Sequence, residues 1–404
     1  MAVPALVIDP CRKAALDAGF GAAFGCQPER YFSAPGRTEI GGNHTDHQRG
    51  RVLAAAVNLD TVAAVRVNGT DTIRILSEGY PMCQIHVTER TPVASEVNST
   101  PALIRGVVAR FAELGCEVGG FDAYCMSTVL PGSGLSSSAA YEVLMGTIVN
   151  SLFFDGKATP PEIAMIGQYA ENVFFGKPCG LMDQTASAVG GLVTIDFGQK
   201  GHPDIRSVDF DFSACGHGLC IIDSGADHAD LTDEYAAVPG ELKAICDYFG
   251  KEVLTEVDEA DFYAAIPQLR RKCGDRAVLR GVHEYQENRR VTAQVAALEN
   301  GDFDAFLKLV KESGRSSWMY LQNVIPAGAT CRQEMAVALA LCEKYLDGRG
   351  AFRVHGGGFA GTVQAFVPFD LLDDFQSGID GALGEGTCHL LSIRPQGGME
   401  MQTK

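Results

Sequence analysis

The sequence predicts a mixed α+β protein in two units, and three observations carry that expectation. First, 404 residues with 46% apolar and 21% charged side chains suffice for two well-filled cores and exclude a disordered chain. Second, Phe121 to Leu130 reads as a strand and Ala139 to Leu152 as a helix, with a glycine-serine loop, Pro131-Gly132-Ser133-Gly134-Leu135-Ser136-Ser137-Ser138, between them. Third, strands and helices continue to alternate beyond a polar, glycine-bearing shift in composition at residues 198–205. The expected units are therefore residues 1–200, carrying the loop, and 201–404.

The elements follow from local pattern. Residues 11–24 read as a short amphipathic helix. Strands flank the polar segment Pro35 to His47, and Val52 to Val67 reads as two pairing strands around Asn58-Leu59-Asp60. Pro101 to Leu114 is helical by periodicity. Pro160 to Phe174 is a second helix, carrying Glu171. Residues 185–189 are small and helix-compatible, and Gly191 to Phe197 is a strand. In the second unit Gly218 to Asp223 is a strand. Helices are expected near 239–250, 276–299, 302–315 and 328–346. Strand, glycine turn and strand span Phe352 to Val367, and a helix near 369–380 and a strand near 389–394 follow.

Composition excludes several functions. The formal net charge of −17 opposes nucleic-acid binding, which needs basic surface. No apolar run reaches membrane-spanning length, and the first residues lack the basic start and long apolar run of a signal peptide. Thirteen scattered cysteines without a C-x-x-C pair point to free thiols in a cytoplasmic protein.

Chemistry concentrates in three stretches. Glycines in the loop let backbone N–H groups approach a ligand, and the helix start behind it has unpaired N–H groups that attract phosphate. No Gly-Lys-Ser/Thr follows, so this is no Walker A loop; the alternative is a turn that merely caps a helix. Arg37, Asn43, His44, Asp46 and His47 crowd the segment after Pro35. A substrate loop, a plain surface loop and metal ligation by His44, Asp46 and His47 are its possible readings. Asp183 lies among Leu181, Met182, Ala186 and Ala188, where a carboxylate is costly unless paired. Helix capping is the plain alternative.

These stretches resemble, in order, those of the GHMP small-molecule kinases, and within them the galactokinases. Pro35-Gly36-Arg37 through Asp46 is similar to the galactose-binding signature, Pro131 to Ala140 to the nucleotide loop, and Gly356 to Gly361 to the C-terminal glycine motif. Pro178 to Gln184, Arg280 to Val291 and Glu312 to Ser317 also resemble galactokinase stretches. The resemblance implies a ribosomal-S5-like N-terminal domain and a ferredoxin-like C-terminal domain. It implies ATP and Mg2+, and γ-phosphoryl transfer to the anomeric hydroxyl of galactose or a galacto-configured sugar, by an enzyme expected to be monomeric. Carried over by position, Gly132, Ser133, Gly134, Leu135, Ser136, Ser137 and Ser138 hold the nucleotide. Ser138 and Glu171 hold the metal, Asp183 is the base or an orienting group, and Arg37 stabilises the transition state. Asn43, His44, Asp46 and Tyr235 contact the sugar.

The chain departs from that pattern at several positions. Asn43 stands where galactokinases usually carry Glu, His47 where Tyr is usual, Val238 for an expected Arg, His355 for a common Thr and Gly314 for a common His. Two like charges about 4 Å apart, at an effective dielectric of about 20, repel by roughly 4 kcal/mol, about a thousandfold in affinity. Loss of a carboxylate at 43 thus raises galacturonate as an alternative substrate. A non-catalytic sugar and ATP sensor on the same scaffold is the alternative of a different class.

Overall fold

The computed structural model describes residues 5–130, 134–177, 179–226 and 231–403. Its strands are β1 (Arg30–Gly41), β2 (Arg51–Val67), β3 (Thr72–Ser77), β4 (Cys83–His86), β5 (Phe121–Ser127), β6 (Leu192–Asp196), β7 (Asp204–Val208), β8 (His217–Asp223), β9 (Ala351–His355), β10 (Thr362–Pro368), β11 (Cys388–Leu391) and β12 (Met399–Met401). They form two sheets. The first runs β12-β1-β2-β5-β3-β4, with β6 added along β2 and β7 along β6; the second runs β11-β8-β10-β9. Pairing is antiparallel except between β3 and β5. The first sheet thus draws on both ends of the chain.

Residues 52–67 do not turn at Asn58. They form the continuous strand β2, which pairs with β1 on one side and on the other changes partner, from β6 along Arg51–Ala55 to β5 along Thr61–Val67. Across the gap Asn58 N–H donates to Ser392 O (3.0 Å) and Ser392 N–H to Asn58 Oδ1 (2.9 Å), so backbone groups that a turn would have used are satisfied while extended. The helix expected to begin at Pro239 starts at Thr232 and runs through that proline to Phe249, which puts Tyr235 on the helix. The helix expected over 160–174 is α-helical only over Pro160–Tyr169; Ala170–Phe175, with Glu171, is a π turn.

Apolar faces explain the layers. Helices Thr100–Glu113, Ser137–Phe153 and Pro160–Tyr169 cover the first sheet around Phe32, Ile75, Phe121 and Val143. Helices Glu334–Leu346 and Leu372–Leu383 cover the second around Val363, Ala365 and Phe375. Between them, helices Asp275–Glu299 and Phe303–Ser316 share a cluster with Ile40 and Leu53 of the first sheet and Leu219 and Phe366 of the second. The two sheets are therefore joined through one continuous apolar core. All thirteen cysteines are free thiols.

Polar ties add register. Buried Arg394 pairs with Asp60 of β2 (3.0 Å) and donates to Ser33 Oγ (2.6 Å) and Gly397 O (3.1 Å), while Arg12 reaches the other Asp60 oxygen at 2.6 Å. Removing one partner of such a pair strands a buried charge. Asp60→Ala is expected to cost about 3–5 kcal/mol in urea unfolding, more than Arg12→Ala, which deletes only the partly exposed arm.

The long helix Asp275–Glu299 carries two buried carboxyls with opposite fates. Burial would raise Glu287, but Arg290, His283 and Arg353, with Gly42 N–H (3.1 Å) and Ser313 Oγ (2.7 Å) as donors, pull it down to about 2. Glu284 is 1% exposed and, among the described residues, neither oxygen has a partner. Burial, then repulsion from Asp46 and Glu287, pushes it well above the usual carboxylate range. A raised carboxyl stabilises the fold below its unfolded pKa, and that contribution is lost as pH rises. Glu284→Gln should therefore gain on the wild type as pH is raised from 5 to 8, by up to about 1.4 kcal/mol per pH unit in denaturant titrations. A constant difference would mean that Glu284 does not hold a proton in the fold.

Candidate functional site

The site is built on β1. Its backbone carries Arg37 next to the first helix turn after Leu181, and the Arg37 guanidinium meets Asp183 as a two-pronged pair, Nε to Oδ1 at 2.7 Å and Nη2 to Oδ2 at 2.6 Å. Parallel N–H···O bonds of this kind fix orientation as well as energy. Burial would raise the Asp183 carboxyl; Arg37 overrides it and holds the group below the usual carboxylate range, with Ser136 as a further donor. The Asp183 side chain keeps 30% exposure against 8% for Arg37, so its face is the one open to a ligand.

The glycine-serine loop closes on this pair. Arg37 N–H donates to Leu135 O at 3.0 Å, and Arg37 Nη1 donates to Gly134 O. Gly134 has φ +70°, and a Cβ there would lie 3.1 Å from both His355 Nδ1 and Thr362 Oγ1, so glycine is required for conformation and for space. Ser136, at φ 56°, precedes the helix Ser137–Phe153, with Ser137 and Ser138 in its first turn. Gly132 and Ser133 lie outside the described residues.

His355, where a Thr is common in the resemblance, has a definable role. Glu39 N–H donates to its Nε2 (3.2 Å), and Gln364 donates to Thr38 Oγ1 (2.7 Å), which leaves the Thr38 hydroxyl to donate to the same Nε2 (3.0 Å). The ring proton is thus on Nδ1, donated to Thr362 Oγ1 at 2.8 Å. Burial, then Arg37 and Arg353, keep this imidazole neutral by lowering its pKa well below the ordinary value. It is a neutral prop beneath Gly134, linking the second sheet to the loop.

Asn43, His44 and Tyr235, far apart in sequence, converge on carbonyls of the β9–β10 glycine turn. Asn43 Nδ2 donates to Gly356 O (2.5 Å), His44 Nε2 to Gly357 O (2.9 Å) and Tyr235 OH to Gly358 O (2.7 Å). His44 stands at φ 67°; burial lowers it to about 4, so it is a neutral ring whose Nδ1 is left as an acceptor. Burial raises the Tyr235 phenol to about 12, so it stays protonated. Asp46 packs on the segment leading to Asp183, where a Cβ on Gly180 would fall 2.0 Å from Asp46 Oδ2.

Asn43 differs from its neighbours in being fully buried with both amide atoms engaged. Nδ2 also donates to Glu39 Oε1 (3.1 Å), and Oδ1 accepts from Asn323 Nδ2 (2.8 Å) and Ser317 Oγ (3.3 Å). Glu39 in turn is clasped by Arg353 of β9, which also donates to Ile40 O at 2.9 Å. Glu39 and Arg353 were given no role from sequence, although Glu39 lies inside the segment that carries Arg37 and Asn43.

Glu171 is brought to the same region by the π turn, a wide turn that often marks functional positions in helices. Its Oε2 accepts from Gln184 Nε2 at 3.0 Å, and the same nitrogen donates to Glu142 Oε2 at 3.0 Å. Burial and the Glu171 charge push Glu142 well above its ordinary value, and its Oε1 has no partner among the described residues. Glu142 follows Ser138 by one helical turn, so the two share a helix face. That spacing, and the adjacency of Gln184 to Asp183, were legible signals that the sequence reading passed over. A hydroxyl and a carboxylate, with a second carboxyl oxygen unpartnered nearby, form a hard-oxygen set of the kind Mg2+ takes.

Residues 18–67 match the galactokinase galactose-binding signature and residues 102–191 the GHMP kinases N terminal domain. In fold, the chain is similar to Lactococcus lactis galactokinase complexed with galactose, with a TM-score of 0.81 at 24% identity over 96% of this chain and 99% of that one. It is also similar to Methanococcus jannaschii mevalonate kinase, with a TM-score of 0.64 at 12% identity over 90% and 98%. No helix among the described residues is long and apolar enough to cross a membrane. A galactokinase of Streptomyces coelicolor is 31% identical over 372 residues, 90% of this chain and 91% of that protein. With that identity over nearly its whole length, and with the loop, the arginine and the aspartate meeting as they do, the chain belongs to the galactokinase family of GHMP kinases and is a sugar kinase.

Proposed function

We propose that the protein transfers the γ-phosphoryl group of ATP to the anomeric hydroxyl of galactose, as a cytoplasmic monomer, and that the Arg37–Asp183 pair lies at the point of transfer. The observation that carries this reading is the two-pronged pair itself, closed on one side by loop carbonyls 134 and 135 and open on the Asp183 side. Phosphoryl transfer needs alignment and charge neutralisation more than covalent help. Gly132 to Ser138 would cradle the phosphates, and Arg37 would face the γ-phosphoryl group as charge builds on it. Asp183 would accept a hydrogen bond from the sugar hydroxyl and point its oxygen at phosphorus. The new O–P bond forms as the bond to the β–γ bridging oxygen breaks, ADP leaves, and the hydroxyl proton departs through Asp183. A carboxylate held this acidic is a weak base, so orientation is its main contribution and proton acceptance comes late. Ser138 and Glu171 would hold Mg2+, which supplies charge neutralisation on the phosphates when bound. Gln184 would keep Glu171 aimed at it.

For the sugar, His44, Asp46 and Tyr235 supply an acceptor, a carboxylate and a phenol around the glycine turn, a set suited to hydroxyl groups. The argument for galacturonate weakens on the Glu39–Asn43 contact. Glu39 is balanced by Arg353 and adds no net charge, but the buried Asn43 amide is fully engaged by Glu39, Gly356 O, Asn323 and Ser317, which leaves it no free group to hold a sugar carboxylate. The family's usual substrate is therefore the better reading.

The test is product formation from ATP, Mg2+ and a panel of galactose, galacturonate and N-acetylgalactosamine, followed by phosphorus NMR. Galactose 1-phosphate should dominate; preferential turnover of galacturonate would overturn the substrate. Asp183→Asn should lower kcat about 10²–10⁴-fold with little change in ATP affinity. Near-normal turnover in that variant would remove Asp183 from the reaction. Because Arg37 holds Asp183 below its ordinary value of 3.8, the wild-type kcat should show no acid limb from this group above about pH 4. Chelation of Mg2+ should abolish turnover and leave the fold intact by circular dichroism.

A further inference from the structure

The stretch Glu312 to Ser317, and the π turn Ser317–Leu321 that follows it, reach the site just described through Ser317, which donates to Asn43 Oδ1, and through Ser316, which bonds His283 behind the Asn43 carbonyl. They form one wall of a separate cavity of about 610 Å³ between helices Phe303–Ser316 and Glu334–Leu346, with β9 as its floor. That volume is typical of small-molecule sites. Its lining is unusual for a chain with net charge −17. Lys311 and Arg315 both line it, one helical turn apart, and neither has an ion-pair or hydrogen-bond partner among the described residues. Like charges at that spacing repel each other, a cost that an anion between them would relieve. Arg349 also lines the cavity but is taken by Asp370 (2.6 Å), and Glu343 is the single acidic side chain at its edge. Trp318 lies along the same wall, 45% exposed, opposite the apolar surface of Leu339 and Phe352.

The floor includes Arg353, which is completely buried and has no partner for its Nε. Its two terminal nitrogens point the other way, to Glu39 and Ile40 O. The π turn has the same double character. Trp318 faces the cavity, while the adjacent Ser317 is buried and donates to Asn43 Oδ1. Two walls of the cavity therefore each send a side chain to the same buried pair, Glu39 and Asn43. His44, the next residue, is at the sugar end of the site.

We propose that this cavity is a second ligand site, for a phosphorylated small molecule bearing a ring with an apolar face, and that its occupancy is felt at the sugar end of the active site through Arg353–Glu39 and Ser317–Asn43. The phosphate bridges Lys311 and Arg315, and the ring lies on Trp318. Nucleoside monophosphates and sugar phosphates share this chemistry. Binding at the cavity does not depend on the kinase reading; its effect on the sugar step does.

Trp318 is the chain's only tryptophan, so its emission reports this cavity directly and without turnover. The full-length protein is titrated with AMP and with galactose 1-phosphate, against adenosine and galactose as unphosphorylated controls. A saturable change is expected with at least one phosphate ester and with neither control. The double variant Lys311→Gln, Arg315→Gln should weaken that response at least about tenfold while basal kcat stays unchanged, since neither side chain touches the active site. No response to either phosphate, or a response undiminished in the double variant, would overturn the site. Coupling is read separately. At saturation the effective ester should shift the KM for galactose about fivefold or more, and the double variant should lose the shift. A KM that does not move under saturating ester would overturn the coupling and leave a silent site.

Discussion

Everything at the site depends on how β1 places its two buried charged residues. Arg37 and Glu39 are buried on one strand, and neither could remain ionised there alone, since an isolated buried charge is far too costly. Each is matched from a different direction. Arg37 takes the carboxylate of Asp183, from a helix packed on the first sheet, and Glu39 takes the guanidinium of Arg353, from the second sheet. The strand thus fixes the Arg37–Asp183 pair and the joint between the two sheets within three residues. Gly134 O, Leu135 O and Asp183 hold Arg37 in place from several sides.

Neutral buried groups complete that arrangement. His355 supports the loop from below as an uncharged ring, kept neutral first by burial and then by the two arginines beside it. A charged imidazole there would oppose Arg37. Glu142 plays a comparable part on the other side. Two carboxyls converge on one Gln184 nitrogen, and burial, then the neighbouring Glu171, push Glu142 well above its ordinary value. Gln184 holds the Glu171 carboxyl in place from the same nitrogen.

Much of this was legible in the chain, and the exceptions have physical causes. Periodicity and glycine placement located the long helices, the loop and the β9–β10 turn, because each depends on local preference. Asn58-Leu59-Asp60 misled, because polar residues within an apolar run usually signal a turn; here strands on both sides keep the segment extended, and Asn58 pairs with Ser392, remote in sequence. Pro239 misled similarly, since proline favours a first turn but tolerates a longer helix when its neighbours pack well. The short strands β3, β4, β7 and β12 carry too few residues for a period-2 pattern to stand out. That Arg37 would neighbour Asp183 and keep it ionised followed from the family resemblance and not from local pattern, because 146 residues separate them and the packing of the helix Met182–Val189 against β1 brings them together. Glu39 and Arg353 were invisible as a pair for the same reason.

Asn43 shows why residue identity at one position is a poor guide to a site's electrostatics. Read alone, an amide where relatives carry a carboxylate removes a charge and opens the site to an acidic sugar. In the folded chain that amide is a buried hub. It donates to Glu39 and to the glycine turn, and accepts from Asn323 and from Ser317 on the helix that walls the second cavity. The carboxylate stands four residues earlier, on the extended strand β1, where Arg353 balances it. Local net charge at this corner is therefore set by a pair, Glu39 and Arg353, and not by residue 43. A pair shared between two walls can be altered from either side, whereas a lone carboxylate facing the sugar could be altered only by the sugar. The exchange gives this chain a route from its outer surface to its substrate that a glutamate at 43, facing inward, would not provide.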